Sequence, residues 1–161
     1  MGSRPADDDA ERSVTRRLGS RGDGDRELAS EAAEGPVAGV HALAYPIGAR
    51  FHVPHGLSNS LVLAPVMRFN LEVAHAMYAD LGQIIKPGLQ GSSMEQATQL
   101  VDYLGTLAGE LGLPTQLRQV GIAEKDIDQL AQDAMLQTRL LMNSPREIKL
   151  QDAAALYREA L

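Results

Sequence analysis

The spacing of the histidines is the feature of this sequence most able to support chemistry. His41, His52 and His55 lie close together, and His75 follows further along the chain. His41 falls on a predicted helix, and His55 sits in a Pro-His-Gly turn that opens the next one. Neutral imidazoles that meet at such a turn can bind one divalent metal ion at about 2.0–2.2 Å. Spacing alone leaves open that these histidines merely pack or cap, with His52 extended and His75 solvated.

Tyr45 lies one helical turn after His41, and the two side chains therefore share a face. By contrast, the acidic run Asp7–Asp9 has no second ligand cluster near it, and we interpret it as part of a solvated tail rather than as a cation site.

The elements that must position these residues are helices. From Pro36 onward apolar residues recur at spacings of three and four, and the stretch Arg50–Val53 is the longest with period two. Ser92 and Glu95 have the spacing of a capping box. The first predicted helix begins at Pro36, and Pro46 and Gly48 end or bend it. The other predicted helices span Leu57–Phe69, Leu71–Ile85, Ser92–Leu111, Thr115–Val120, Ala123–Met142 and Leu150–Ala160.

Composition narrows the possible functions. The 161 residues include no cysteine, which excludes disulfides, thiolate metal sites and a cysteine nucleophile. The net charge of -6 and an aromatic content of 4% argue against nucleic-acid binding. No apolar run approaches the roughly 20 residues of a membrane span, and no signal peptide is visible. We therefore expect a soluble, cytoplasmic protein.

The first 35 residues, Met1–Gly35, differ from the rest. They are rich in charge and poor in large apolar side chains, too poor to offset the entropy of ordering the backbone, about 1–2 kcal/mol per residue. We predict a disordered charged tail over 1–35, with at most a nascent helix near Asp25–Ala33, and a helical domain over 36–161.

Taken together, the residues around the histidines resemble the signature of the iron-containing (group III) alcohol dehydrogenases. The resemblance covers Pro36–Leu161. The matching residues are Val40–Gly48, Phe51, Pro54–Gly56, Asn59, Leu63, Met67, Arg68, Asn70, Gly112–Pro114, Leu117–Ile122, Asp126, Ile127, Asn143–Glu147, Asp152 and Tyr157.

The resemblance implies an all-α fold, the C-terminal helical domain of dehydroquinate-synthase-like and iron-containing alcohol dehydrogenases. In that family an N-terminal α/β domain holds NAD or NADP, and the helical domain holds Fe(II), sometimes Zn(II), through one aspartate and three histidines. Two of those ligands correspond to His41 and His55. The metal acts as a Lewis acid that lowers the pKa of the alcohol, which gives hydride to the nicotinamide.

The sequence departs from the family pattern in three places. No Gly-rich loop follows a strand, and no Asp-x-x-x-His arrangement precedes His41. Tyr45 stands where many family members carry a histidine near the catalytic centre. A phenol has an ordinary pKa near 10, against about 6.5 for histidine, so Tyr45 is a catalytic candidate as a hydrogen-bond donor, and packing is the alternative.

Three hypotheses follow. The first is a C-terminal part of an alcohol dehydrogenase, inactive alone, whose intact enzyme acts on a small alcohol or aldehyde. The second is a non-enzymatic helical interaction domain, and the third is a small metal-binding module that uses His41, His52 and His55. A stand-alone copy of these helices would expose apolar surface and tend to self-associate, as a homo-oligomer, or to recruit a partner, with Leu57–Val66 as the predicted surface.

Overall fold

The computed structural model describes the backbone of residues 22–161, and the side chains of residue 35 and residues 37–161. The chain divides into two units, Met1–Glu34 and Gly35–Leu161. The predicted disorder of residues 1–21 lies outside the described residues. The segment Asp25–Ala33, predicted to be at most a nascent helix, is helical in the structure.

The described residues are helical and contain no strand, which confirms the predicted all-α class. No helix within 22–161 has the length and apolarity to cross a membrane. The helices are α1 (Gly22–Phe51), α2 (His55–Ile85), α3 (Ser93–Glu110), α4 (Ile127–Met135), α5 (Thr138–Met142) and α6 (Leu150–Glu159), with 3-10 turns at Leu117–Val120 and Glu124–Asp126.

The first helix continues past the proline that was predicted to end or bend it. A proline inside a helix costs about 3 kcal/mol, because it removes one hydrogen bond and clashes with the preceding turn. Leu43 and Ile47 flank Pro46 and are fully buried, and burying each such side chain contributes about 1.5–3 kcal/mol. Packing therefore outweighs the cost of Pro46, and the helix extends to Phe51.

Two further helix predictions are wrong in their bounds. The predicted pair Leu57–Phe69 and Leu71–Ile85 forms the single helix α2, because Asn70 is fully buried and neither glycine nor proline separates the two segments. The predicted helix Ala123–Met142 is divided instead, since Gln137 leaves the helical region with φ -82° and ψ 51°.

Two apolar clusters hold the unit Gly35–Leu161 together, and α2 contributes to both. The larger one joins α1, the first half of α2, α4 and α6. The smaller one joins the middle of α2 to α3. The largest fully buried side chains of the larger cluster are Tyr157, Leu43, Ile47, Leu117, Ile122, Ile127, Leu130, Val62 and Val66.

The prediction that Leu57–Val66 leaves its apolar surface exposed is wrong. Leu61, Val62 and Val66 are buried in the larger cluster. Exposed apolar side chains lie instead on the second half of α2, at Val73, Met77, Leu81, Ile84 and Ile85.

Candidate metal centre

Helix α1 presents His41 and Tyr45 on one face. They are four residues apart, which places them one turn from each other. Ala42, Leu43 and Ala44 between them are fully buried, so the core fixes the rotation of the helix about its axis. His41 is left half-buried and Tyr45 is 48% exposed. The two side chains thus stand at the edge of the core, where a ligand can reach them.

A tight connection brings the start of α2 back to this face. His52 adopts a left-handed conformation with φ 54°, and its N–H donates to the carbonyl of Gly48 at 3.0 Å. This closes α1 and reverses the chain. Pro54 then precedes α2, and its carbonyl accepts from the N–H of Ser58 at 2.9 Å. As a result His55 becomes the first residue of α2. The predicted extended conformation at His52 does not form, because Phe51 still belongs to α1 and His52 is left-handed.

The three predicted site residues meet at this junction. The ring centres of His41 and His55 lie 5.3 Å apart with an interplanar angle of 14°. The ring centres of Tyr45 and His55 lie 5.2 Å apart with an interplanar angle of 30°. His55 therefore contacts two rings of α1, and the structure unites residues that the sequence distributes over two helices.

The histidine pair fits two positions of a metal site. Two imidazoles bound to one tetrahedral ion at about 2.0–2.2 Å have ring centres roughly 5 Å apart, close to the separation of His41 and His55. Nδ1 of His41 is buried without a hydrogen-bond partner, so an external ligand would have to approach through Nε2. The metal ion that the family resemblance implies thus agrees with the separation of these two ring centres.

The described side chains supply no third ligand. Within that part of the chain no group of three or more histidine, aspartate or glutamate residues lies close enough to hold a metal ion. His52 is exposed and does not join His41 and His55. His75 was predicted to be solvated, but it is half-buried with an unpaired Nδ1. The third hypothesis, a site that needs His52, has no support in this geometry.

Asn59 is a site neighbour to which the sequence reasoning gave no role. Its Nδ2 lies 3.3 Å from Nε2 of His55, one turn earlier on α2. In the tautomer that carries its proton on Nδ1, Nε2 of His55 accepts a hydrogen bond from this amide. The sequence could have indicated this contact, because Asn59 follows His55 by four residues and positions four apart on a helix are neighbours.

Comparisons with known proteins identify the family to which this chain is similar. The sequence model described as "Fe-containing alcohol dehydrogenase family, C-terminal" matches residues 27–161. The chain is 35% identical over 149 residues to the lactaldehyde reductase of Escherichia coli K12, which covers 85% of this chain and 39% of the reductase. It is 36% identical over 125 residues to long-chain-alcohol dehydrogenase 1 of Geobacillus thermodenitrificans, covering 77% and 32% of the two chains.

Solved structures give the same result. A 1,3-propanediol oxidoreductase superposes with a TM-score of 0.70 at 29% identity, over 76% of this chain and 32% of that one. An alcohol dehydrogenase from Oenococcus oeni superposes with a TM-score of 0.71 at 25% identity, with the same coverage. The chain thus spans about two fifths or less of the length of these relatives. The family match also begins at residue 27, earlier than the start at Pro36 that the sequence resemblance predicted.

Proposed function

Because the chain belongs to the Fe-containing alcohol dehydrogenase family through its C-terminal domain, we propose that it forms the metal-binding helical part of a metal-dependent NAD(P) alcohol dehydrogenase. The observation that carries the proposal is the meeting of His41 and His55, with ring centres 5.3 Å apart, at the junction of α1 and α2. The substrate class is an alcohol or aldehyde of small-molecule type, in keeping with the relatives' printed names.

His41 and His55 are the residues proposed to hold the metal, Fe(II) or alternatively Zn(II). When bound, the ion would supply Lewis-acid chemistry, which lowers the pKa of an alcohol. The chain's own residues orient the two histidines. The buried run Ala42–Ala44 fixes the orientation of His41, the turn before Pro54 fixes the start of α2, and Asn59 contacts His55.

We expect the 161-residue chain by itself to lack alcohol dehydrogenase activity. Its described side chains provide two imidazoles toward a four-ligand site, and an incomplete ligand set lowers metal affinity severely. NAD or NADP would bind to the nucleotide-binding domain of an intact enzyme. Activity would therefore require ligands and a nucleotide site beyond the groups described in residues 22–161.

A second candidate is a non-enzymatic helical interaction domain that self-associates or recruits a partner. One observation favours it: Val73, Met77, Leu81 and Ile84 follow one another at spacings of four and three on α2, and each is at least 38% exposed. A row of this kind on one helix face is typical of surfaces that bind another protein.

A metal titration tests the first proposal. The purified chain is titrated anaerobically with Fe(II), and in parallel with Zn(II), beside a His41→Ala/His55→Ala double variant. His52→Asn is the matched control, because it removes a neighbouring imidazole and asparagine tolerates the left-handed backbone.

We expect saturable binding that the double variant abolishes and the control retains. Binding that is unchanged in the double variant would refute the proposed ligands. Loss of binding in His52→Asn would instead revive the three-histidine module.

A further inference from the structure

Tyr45 contacts the proposed metal site through its ring. It lies one turn after His41 on α1, and its ring centre is 5.2 Å from that of His55. The contact that the structure shows between Tyr45 and the site is this contact between the two rings.

His55 has little else to hold its side chain. It is the exposed first residue of α2, and among the described side chains the polar contact of its ring is the 3.3 Å approach of Asn59. Fixing an exposed side chain in one rotamer costs conformational entropy. Any group that restricts the ring before the ligand arrives removes part of that cost from metal binding.

We propose that Tyr45 is a positioning residue for His55: its ring, together with that of His41, restrains the imidazole in the orientation that both histidines need to converge on one metal ion. The inference rests on the proposed function for its metal. It assigns the effect to the planar ring and none to the hydroxyl. Aromatic pairs of this kind contribute favourable energy beyond the area that they bury.

Three substitutions separate the ring from the hydroxyl and from simple bulk. Tyr45→Phe keeps the ring, Tyr45→Leu keeps an apolar side chain without a ring, and Tyr45→Ala removes both. Tyr45 is 48% exposed, so these variants are expected to keep the fold, which circular dichroism checks.

Co(II) affinity and the visible spectrum of the Co(II)-loaded chain are measured for each variant. We expect Tyr45→Phe to match the wild type, and Tyr45→Ala and Tyr45→Leu to bind about tenfold more weakly, as is typical for loss of a group that orients a ligand.

A metal-free readout accompanies the titration. In the NMR spectrum of the apo chain, the ring protons of His55 should shift and sharpen in Tyr45→Ala, because the neighbouring ring current and the restraint are lost. They should stay in place in Tyr45→Phe. This NMR measurement tests the positioning of His55 even if the wild-type chain binds no Co(II).

The outcomes separate this inference from the proposed function. If the His41→Ala/His55→Ala variant binds Co(II) like the wild type, the proposed ligands fail. If that variant loses binding while Tyr45→Ala keeps it and leaves the His55 resonances unmoved, the positioning role fails and the ligands stand. Equal loss in Tyr45→Phe and Tyr45→Ala would overturn the inference by assigning the effect to the hydroxyl.

Discussion

A buried hydrogen bond ties the helix that carries His41 to the last helix of the chain. Tyr157 on α6 is fully buried, and its hydroxyl donates to the carbonyl of Leu43 on α1 at 2.7 Å. Burial raises the pKa of the Tyr157 hydroxyl far above its ordinary value, and the nearby charge of Asp133 adds to this, so the group stays protonated. We predict that Tyr157→Phe destabilises the fold.

The magnitude follows from what the change leaves behind. A protein hydrogen bond contributes about 0.5–1.5 kcal/mol net, and a buried acceptor left without its partner costs about 1–3 kcal/mol. Leu43 keeps its place in α1, so we expect a loss near the lower end, about 1–2 kcal/mol. For a domain of this size that corresponds to a fall in Tm of roughly 3–8 °C.

Tyr78 provides the matched control. It is as buried as Tyr157, at 1% exposure, but among the described residues its hydroxyl has no hydrogen-bond partner of normal geometry, although it lies close to Asn70. Removing an unpaired buried hydroxyl relieves a desolvation cost, so Tyr78→Phe should leave the free energy of unfolding unchanged or raise it.

Urea unfolding of both variants, followed by circular dichroism, measures the difference. We expect the urea concentration at the midpoint of unfolding to fall for Tyr157→Phe and not for Tyr78→Phe. The slope of the unfolding free energy against urea concentration should be the same in both variants. A loss in Tyr78→Phe as large as that in Tyr157→Phe would refute the reasoning, because the effect would then not follow the hydrogen bond.

Three further predictions concern single contacts. His52→Gly should raise the free energy of unfolding by about 0.5–1 kcal/mol in urea melts, since glycine adopts φ 54° without strain; a loss of stability would show that the His52 side chain is needed. Ser92→Ala should cost about 1 kcal/mol by the same measurement because it removes the cap of α3, and no change would mean that Glu95 holds that end alone. The hydrogen bond from Arg50 lowers the pKa of the Asp133 carboxyl, so this pair stabilises the fold above about pH 4 and the effect is lost as the pH falls through the lowered pKa; melts from pH 7 to 2 should show Arg50→Met less stable than the wild type at pH 7 and equal to it at the acid end.

Local signals in the sequence predicted the features that depend on neighbouring residues. The capping box of α3 forms as its spacing indicates: the Ser92 N–H donates to the Glu95 carboxylate at 2.7 Å, and Ser92 Oγ accepts from the Glu95 N–H at 3.4 Å. Gly121 ends the 3-10 turn Leu117–Val120 in a left-handed conformation, φ 88°, which glycine adopts without a steric penalty. Each of these interactions spans four or five residues, so a short window of sequence contains its cause.

The features that depend on packing between residues far apart in the sequence could not be predicted from short windows of sequence. Pro46 carries a strong local signal for a helix end, and the burial of Leu43 and Ile47 overrides it. Apolar periodicity likewise identified Leu57–Val66 as an apolar helix segment, which we expected to be left exposed, yet Leu61, Val62 and Val66 are buried. Periodicity identifies the apolar face of a helix, and the arrangement of the other helices determines whether that face is covered.

The candidate site combines both situations. The spacing of His41 and His55 allowed the two imidazoles to meet but left packing or capping open, and the family resemblance made them the metal candidates; the structure places their ring centres 5.3 Å apart. The ring contacts of Tyr45 and the approach of Asn59 depend on side-chain rotamers, which only the packed helices determine. Sequence therefore identified the metal-binding candidates and left the groups that orient them to the structure.

The histidine pair lies where it can bind a metal ion without contributing to the core that stabilises the fold. His41 is half-buried and His55 is exposed, whereas the residues beside His41, Ala42 to Ala44, are fully buried in the larger apolar cluster. The core therefore sets the face on which the pair stands without contact from a metal ion. In small zinc domains the metal supplies the folding free energy, because a core is lacking. Here the core exists independently, so the ligand pair is preorganised by packing, and changes in the ring contacts of His55 should alter metal affinity far more than they alter the stability of the helices.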